Sequence, residues 1–204
     1  MNALRPIAYR LYDSLWDVRL GIRTGGVHPS GVPSLFNDNA ECNPTAYRIL
    51  ERLLPGIPLS SDDVLIDYGC GKGRAICFFA ARALLRKVIG VEISEEWASI
   101  AEENARSLRH RKTPDLEVVR GNAVEFDSSL GTVFYFFHPF GEKTFEAVVA
   151  NIKEGLLRKP RRIKLVYYNT VCKPMLDATG FLRQTAVLHR DAMNNPAVVL
   201  YENY

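Results

Sequence analysis

Asp67, Gly69, Gly71 and Gly73 stand at alternate positions within the stretch Val64 to Ala75. An apolar run, Val64-Leu65-Ile66, precedes them, and an apolar, alanine-rich segment follows. A buried strand, a turn of glycines and a helix form a ligand site in open α/β sheets. Glycines let the main chain turn tightly and approach a ligand without a side chain in the way. The helix start adds backbone N–H groups with no partner inside the helix. Glu92 ends the next apolar run, Val88 to Val91. An acid about 20 positions beyond a glycine turn commonly takes ribose hydroxyls. Its carboxylate can accept from both the 2′ and the 3′ hydroxyl. The chemistry that this set suits is the holding of a nucleoside.

The spacing narrows the nucleoside. A dinucleotide fingerprint needs a third glycine at position 74, which is Arg74. A phosphate loop needs Ser or Thr after Gly71-Lys72, where Gly73 stands. Asp-x-Gly-x-Gly-x-Gly, Asp67 to Gly73, instead resembles the first motif of the class I S-adenosylmethionine (SAM) dependent methyltransferases. That resemblance implies that Asp67, Tyr68, Gly69, Cys70, Gly71 and Gly73 lie against the cofactor. It also implies that Glu92 holds the ribose and Ile93 flanks the adenine. Gly121-Asn122-Ala123 is similar to the family's third cofactor motif, so Asn122 and the Ala123 amide would read the adenine edge. Asn122 departs from the commoner Asp but keeps an acceptor.

A second resemblance concerns the acceptor. His138-Pro139-Phe140-Gly141 ends the run Thr132 to Phe137. Amine-directed methyltransferases often carry Asn- or Asp-Pro-Pro-aromatic there. The present sequence shares the proline and the aromatic but departs at His138. A strand-end His can bind an acceptor or act as general base. It can equally hold the loop, and the residues alone leave both open. Phe140, Tyr135 and Phe136 are candidates for an aromatic lining suited to a sulfonium. The loop and the absence of added domains are similar to non-SET protein lysine methyltransferases, which would make a protein amine the acceptor. A small molecule is the other choice. Methyl transfer needs nucleophile, methyl carbon and sulfur in line, so positioning carries the catalysis. The alternative function is a non-catalytic SAM-binding regulatory or scaffold protein. A nucleotide-linked oxidoreductase is disfavoured by the glycine spacing.

The elements that must position these residues read clearly in places. The resemblance implies an α/β, Rossmann-like methyltransferase fold. Its mostly parallel seven-stranded sheet would end in an antiparallel hairpin and carry helices on both faces. Runs at 64–67, 88–91, 116–119, 132–137 and 163–168 read as strands, and 184–189 and 197–201 as the hairpin. Helices are expected at 74–86, from Glu95, and around Phe145 to Ile152. Asn43-Pro44 reads as an N-cap and first helical residue. Thr45 and Tyr47 would then lie near the site as contacts, Tyr47 to the substrate or else packed in the core. Residues 3–20 show helical spacing through Leu4, Ile7, Ala8, Leu11, Leu15 and Val18, read as a helix lying on the domain by that stripe or as a cover over the active site. A membrane-surface helix is disfavoured, because its charges, Arg5, Arg10, Asp13 and Asp17, have both signs. Residues 1–43 are expected to form a helix and a lid or acceptor-side loop, with His28 near the substrate, and 44–204 the SAM-binding methyltransferase domain.

Totals set the bounds. The chain has 204 residues, 47% hydrophobic and 24% charged, which suits one globular domain. A net charge of +3 is too weak to imply nucleic acid. Cys42, Cys70, Cys77 and Cys172 have no metal spacing, so no metal and no disulfide framework are expected. Apolar runs are too short to cross a membrane, and the first residues lack a signal peptide's apolar centre. A cytoplasmic protein is the expectation.

Overall fold

A computed structural model describes residues 4–26, 38, 43–190 and 196–204. His28 and Cys42 lie outside the described residues. Seven strands form one sheet in the order β3-β2-β1-β4-β5-β7-β6. They are β1 (Val64–Tyr68), β2 (Lys87–Glu92), β3 (Leu116–Arg120), β4 (Val133–Phe137), β5 (Lys164–Tyr168), β6 (Leu182–Arg190) and β7 (Pro196–Asn203). β1 to β5 run parallel, whereas β7 pairs antiparallel with both β5 and β6. The chain winds outward from β1 to β3 and then returns to β4 on β1's other side. That reversal parts the crossovers and leaves a crevice at the carboxyl ends of β1 and β4.

Both faces of the sheet are covered, and this explains the unbroken apolar runs. Side chains alternate from face to face along each strand. Leu65, Val133, Tyr135 and Val166 pack with α1 (Leu4–Leu20), α2 (Tyr47–Leu53) and α3 (Arg74–Arg82). Ile66, Tyr68, Phe134, Phe136 and Tyr167 pack instead with α5 (Glu142–Arg158) and α6 (Lys173–Asp177). α4 (Glu95–Ser107) lies on the first face through Ala101. Ser94 caps α4, its hydroxyl accepting from the Trp97 N–H. Among the described residues no helix is long and apolar enough to cross a membrane.

Two expectations about helices are corrected. α2 begins at Tyr47, not at Asn43-Pro44, and no side chain of its own N-cap residue, Ala46, bonds to it. Asp13 of α1 takes the Tyr47 N–H instead, at 3.1 Å. The cap thus comes from 34 residues away in sequence. α1 also docks by the face opposite its apolar stripe. Trp16 and Leu20 are buried, and Asp17 is 8% exposed, while Leu11, Leu15 and Val18 are 61, 68 and 70% exposed.

The inward acids explain this choice of face. Asp13 and Asp17 meet Arg74, the first residue of α3, at 2.9 and 3.9 Å. Asp17 also accepts from the Thr24 N–H and hydroxyl and from the Tyr47 hydroxyl. A buried guanidinium without counter-charges would cost several kcal/mol. Trp16 stacks on Tyr47 with centroids 5.3 Å apart and completes the interface.

Candidate active site at the carboxyl end of the sheet

The glycine turn forms the crevice floor. Gly69 (φ +71°) and Gly73 (φ +83°) hold left-handed backbone. A Cβ at Gly69 would sit 2.3 Å from the Pro139 Cβ, so only glycine lets the β4 loop pack there. Gly73 caps α3, and a Cβ on it would press on Ala101. The turn is pinned to β2: the Gly69 and Cys70 N–H groups donate to the Val91 carbonyl at 2.9 and 3.1 Å. Behind it, Asn104 of α4 donates to the Lys72 and Arg23 carbonyls and accepts from the Arg23 N–H. The chain after α1 is thereby strapped across the back of the turn.

Glu92 closes one side. Its carboxylate accepts the Gly71 N–H at 2.8 Å and the Ser94 N–H at 2.9 Å. Two amides leave acceptor capacity on both oxygens for a diol. Burial pushes the Glu92 pKa up, opposed by those amides. Asp67 sits deeper, and burial together with the Glu92 charge pushes its carboxyl well above the usual range. The crevice measures about 960 Å³, counting space open to solvent.

Of the residues expected at the cofactor, Asp67, Gly69, Cys70, Gly71, Glu92 and Ile93 line the crevice, as do Asn122 and Ala123. Asn122 is committed locally: its side-chain oxygen accepts the Val124 N–H at 3.0 Å. Two expected residues do not line it. The Tyr68 side chain points to the other face of the sheet, stacked on Phe136. Gly73 lies beneath the turn, as the N-cap of α3.

The acceptor end differs more from expectation. Phe140 lines the crevice, with Tyr135, Phe137, Pro139 and Thr144. Phe136 faces α5. Tyr47 is fully buried, its ring under the Arg74 guanidinium and its hydroxyl on Asp17, so the expected substrate contact is corrected to a core position. His138 does not line the crevice. It sits at φ +42°, half-buried, with Nδ1 3.2 Å from the Tyr167 hydroxyl. That hydroxyl also accepts the Cys172 N–H. Burial lowers the His138 pKa, so the ring stays neutral at pH 7. Of the two roles open to His138, this placement favours a brace on the far side of the loop.

One lining residue not foreseen is Arg74, which reaches the crevice from α3 while bonded to α1. Thr45, expected near the cofactor, does line the crevice and shares a hydrogen bond with the Tyr135 hydroxyl at 2.9 Å. Asp38 stands at the start of α5, where its carbonyl accepts the Gly141 N–H and its carboxylate the Thr144 hydroxyl. No local sequence signal marks Asp38, because both partners lie more than a hundred positions downstream.

A nucleoside-binding α/β protein is what this fold and crevice define. A family model described as histone methylation protein DOT1 matches residues 42–115. The chain is 30% identical over 159 residues to a protein-lysine N-methyltransferase of Saccharolobus islandicus, covering 78% of this chain and 90% of that protein. It is 23% identical over 180 residues to a probable cobalt-precorrin-6B C(15)-methyltransferase (decarboxylating) of Methanobrevibacter smithii, covering 78% and 91%. A Salinibacter ruber RNA methyltransferase crystallised with S-adenosylhomocysteine shares the fold at 20% identity, with a TM-score of 0.55 over 78% of this chain and 92% of that one. The chain belongs to the class I SAM-dependent methyltransferases. It is a methyltransferase that uses SAM.

Proposed function

We propose that the protein methylates the side-chain amine of lysine in a protein acceptor. Two things support this reading: the likeness to a protein-lysine N-methyltransferase, and the withdrawal of His138 from the crevice. A hydroxyl acceptor usually needs a base in the transition state. An amine can lose its proton to water beforehand, and then needs only placement. The described side chains at the acceptor end, Tyr135, Phe137, Phe140 and Thr144, offer an aromatic wall and no imidazole.

When bound, SAM supplies a methyl group already activated by its sulfonium. The protein's own residues then orient and exclude. In this reading Glu92 holds the ribose diol, and the Gly69–Gly71 backbone leaves room for the nucleoside. Ile93 and Ala123 flank the base, with Asn122 at its edge. Phe137 and Phe140 favour the cationic centre and keep water from it. Asp38 supports the acceptor side by accepting from the hydroxyl of Thr144, a lining residue.

The test uses SAM carrying a labelled methyl group. An unmodified lysine-rich protein is compared with the same protein after its lysines are blocked by acetylation, which ties up the amine lone pair as an amide. Label located by mass spectrometry on lysine Nζ, and lost on blocking, is the expected result. Label only on hydroxyls, or only in small molecules from an extract, would overturn the acceptor assignment and leave SAM use intact.

A further inference from the structure

The outward face of α1 is unlike the rest of the surface. Ala8, Leu11, Leu15 and Val18 follow one another along it over about 15 Å at the helical rise. Their large members are 61–70% exposed. Single exposed apolar residues are ordinary, but a contiguous stripe over about three helical turns is not. The only acids of α1, Asp13 and Asp17, are turned inward onto Arg74. The charges left beside the stripe in the described part of α1 are Arg10 and Arg19, both exposed.

More positive charge gathers where the stripe ends. The Arg19 and Arg82 guanidinium groups lie 5.1 and 5.5 Å from the Trp16 ring centroid. Lys112 Nζ donates to the Arg82 carbonyl at 3.4 Å, and the Arg109 N–H to the Leu20 carbonyl at 2.8 Å. The basic run 109–112 is thereby docked at the end of α1. An acid also borders α1, Glu51, which accepts from the Tyr12 hydroxyl, so the border is mainly basic. An apolar helix face with a mainly basic border is the pattern of helices that lie in a membrane interface.

We propose that α1 seats the protein on an anionic lipid surface, with Leu11, Leu15 and Val18 entering the acyl boundary and Arg10, Arg19 and the 109–112 run meeting the headgroups. Other occupants fit less well. A second copy would set arginine against arginine. Nucleic acid would leave the apolar stripe in water. An acidic protein helix needs walls to grip, and side chains this exposed stand on a ridge without them.

Co-sedimentation tests this with vesicles of phosphatidylcholine alone and of phosphatidylcholine containing one-third phosphatidylglycerol. The expected result is pelleting with the anionic vesicles only, weakened by raising the salt. Leu11→Ser/Leu15→Ser/Val18→Ser should reduce partitioning at least tenfold while keeping the far-ultraviolet spectrum and the thermal shift with S-adenosylhomocysteine. Leu15→Gln, too small a change to unfold α1, should lower it in the same direction. Arg10→Glu/Arg19→Glu should reduce binding to anionic vesicles as well. No pelleting of the wild type, or undiminished pelleting of Leu15→Gln, overturns the proposal. So does a stripe-dependent dimer in solution, or stripe-dependent binding of a polyglutamate peptide in place of vesicles. None of these results bears on the methyl acceptor.

Discussion

Glu92 serves two partners at once. It ties the glycine turn to β2 through Gly71 and offers its remaining lone pairs to the crevice. Glu92→Ala should therefore weaken SAM and S-adenosylhomocysteine about 10- to 100-fold, the worth of hydrogen bonds to a charged group. Titration calorimetry measures it, and unchanged affinity would remove Glu92 from the site. Asp67 gives the opposite sign in stability. Its folded-state pKa is raised, so its charge opposes folding from about pH 4 upward, and the cost disappears once both states are protonated. Asp67→Asn should raise the melting temperature of the cofactor-free protein at pH 7 by roughly 2–4 °C for each kcal/mol relieved. The gain should vanish near pH 3.5. His138 occupies left-handed backbone, which Asn tolerates and β-branched residues do not. His138→Asn should keep turnover within about threefold, and His138→Val should cost about 1–2 kcal/mol in denaturant unfolding.

At the scale of elements, β1, β2, β4 and β5 were legible because each is an apolar run buried on both faces. The direction of His138 was legible too, in principle. Tyr135 and Phe137 share the crevice face. Continuing the alternation of β4 by one residue would send position 138 to the other side with Phe136, although His138 itself lies past the strand in left-handed backbone. The start of α2 was not legible, because its cap arrives from Asp13 on another helix. Nor was the buried face of α1. Helical period reveals two faces, and which one turns inward depended on a guanidinium 61 positions away. Arg74→Ala tests that dependence. Removing one partner of a largely buried ion pair strands the other, at about 3–5 kcal/mol. Chemical denaturation should report a loss of that order. Asp13→Asn, whose partner keeps Asp17 nearby, should cost less.

For the molecule as a whole, crevice and fold are coupled by mass action. A ligand that binds only the folded chain stabilises it by about 2.7 kcal/mol at a hundredfold excess over Kd. S-adenosylhomocysteine at that excess should raise the melting temperature by roughly 5–11 °C. An NADH titration should leave it in place. The same reasoning makes α1 more than a cover. Its inner acids hold Arg74, a crevice residue, and the chain just after it is bonded behind the glycine turn.

The contact between Gly69 and Pro139 carries a consequence for anyone redesigning the acceptor end. The ring of one loop fills the space that a methyl group on the other would need. Substitutions at the two positions are therefore not independent. Gly69→Ala should be harmful alone and partly rescued by Pro139→Gly, the residual defect being the backbone strain at position 69. Libraries that vary the mouth while freezing the nucleoside cradle will discard sequences in which the two loops change together.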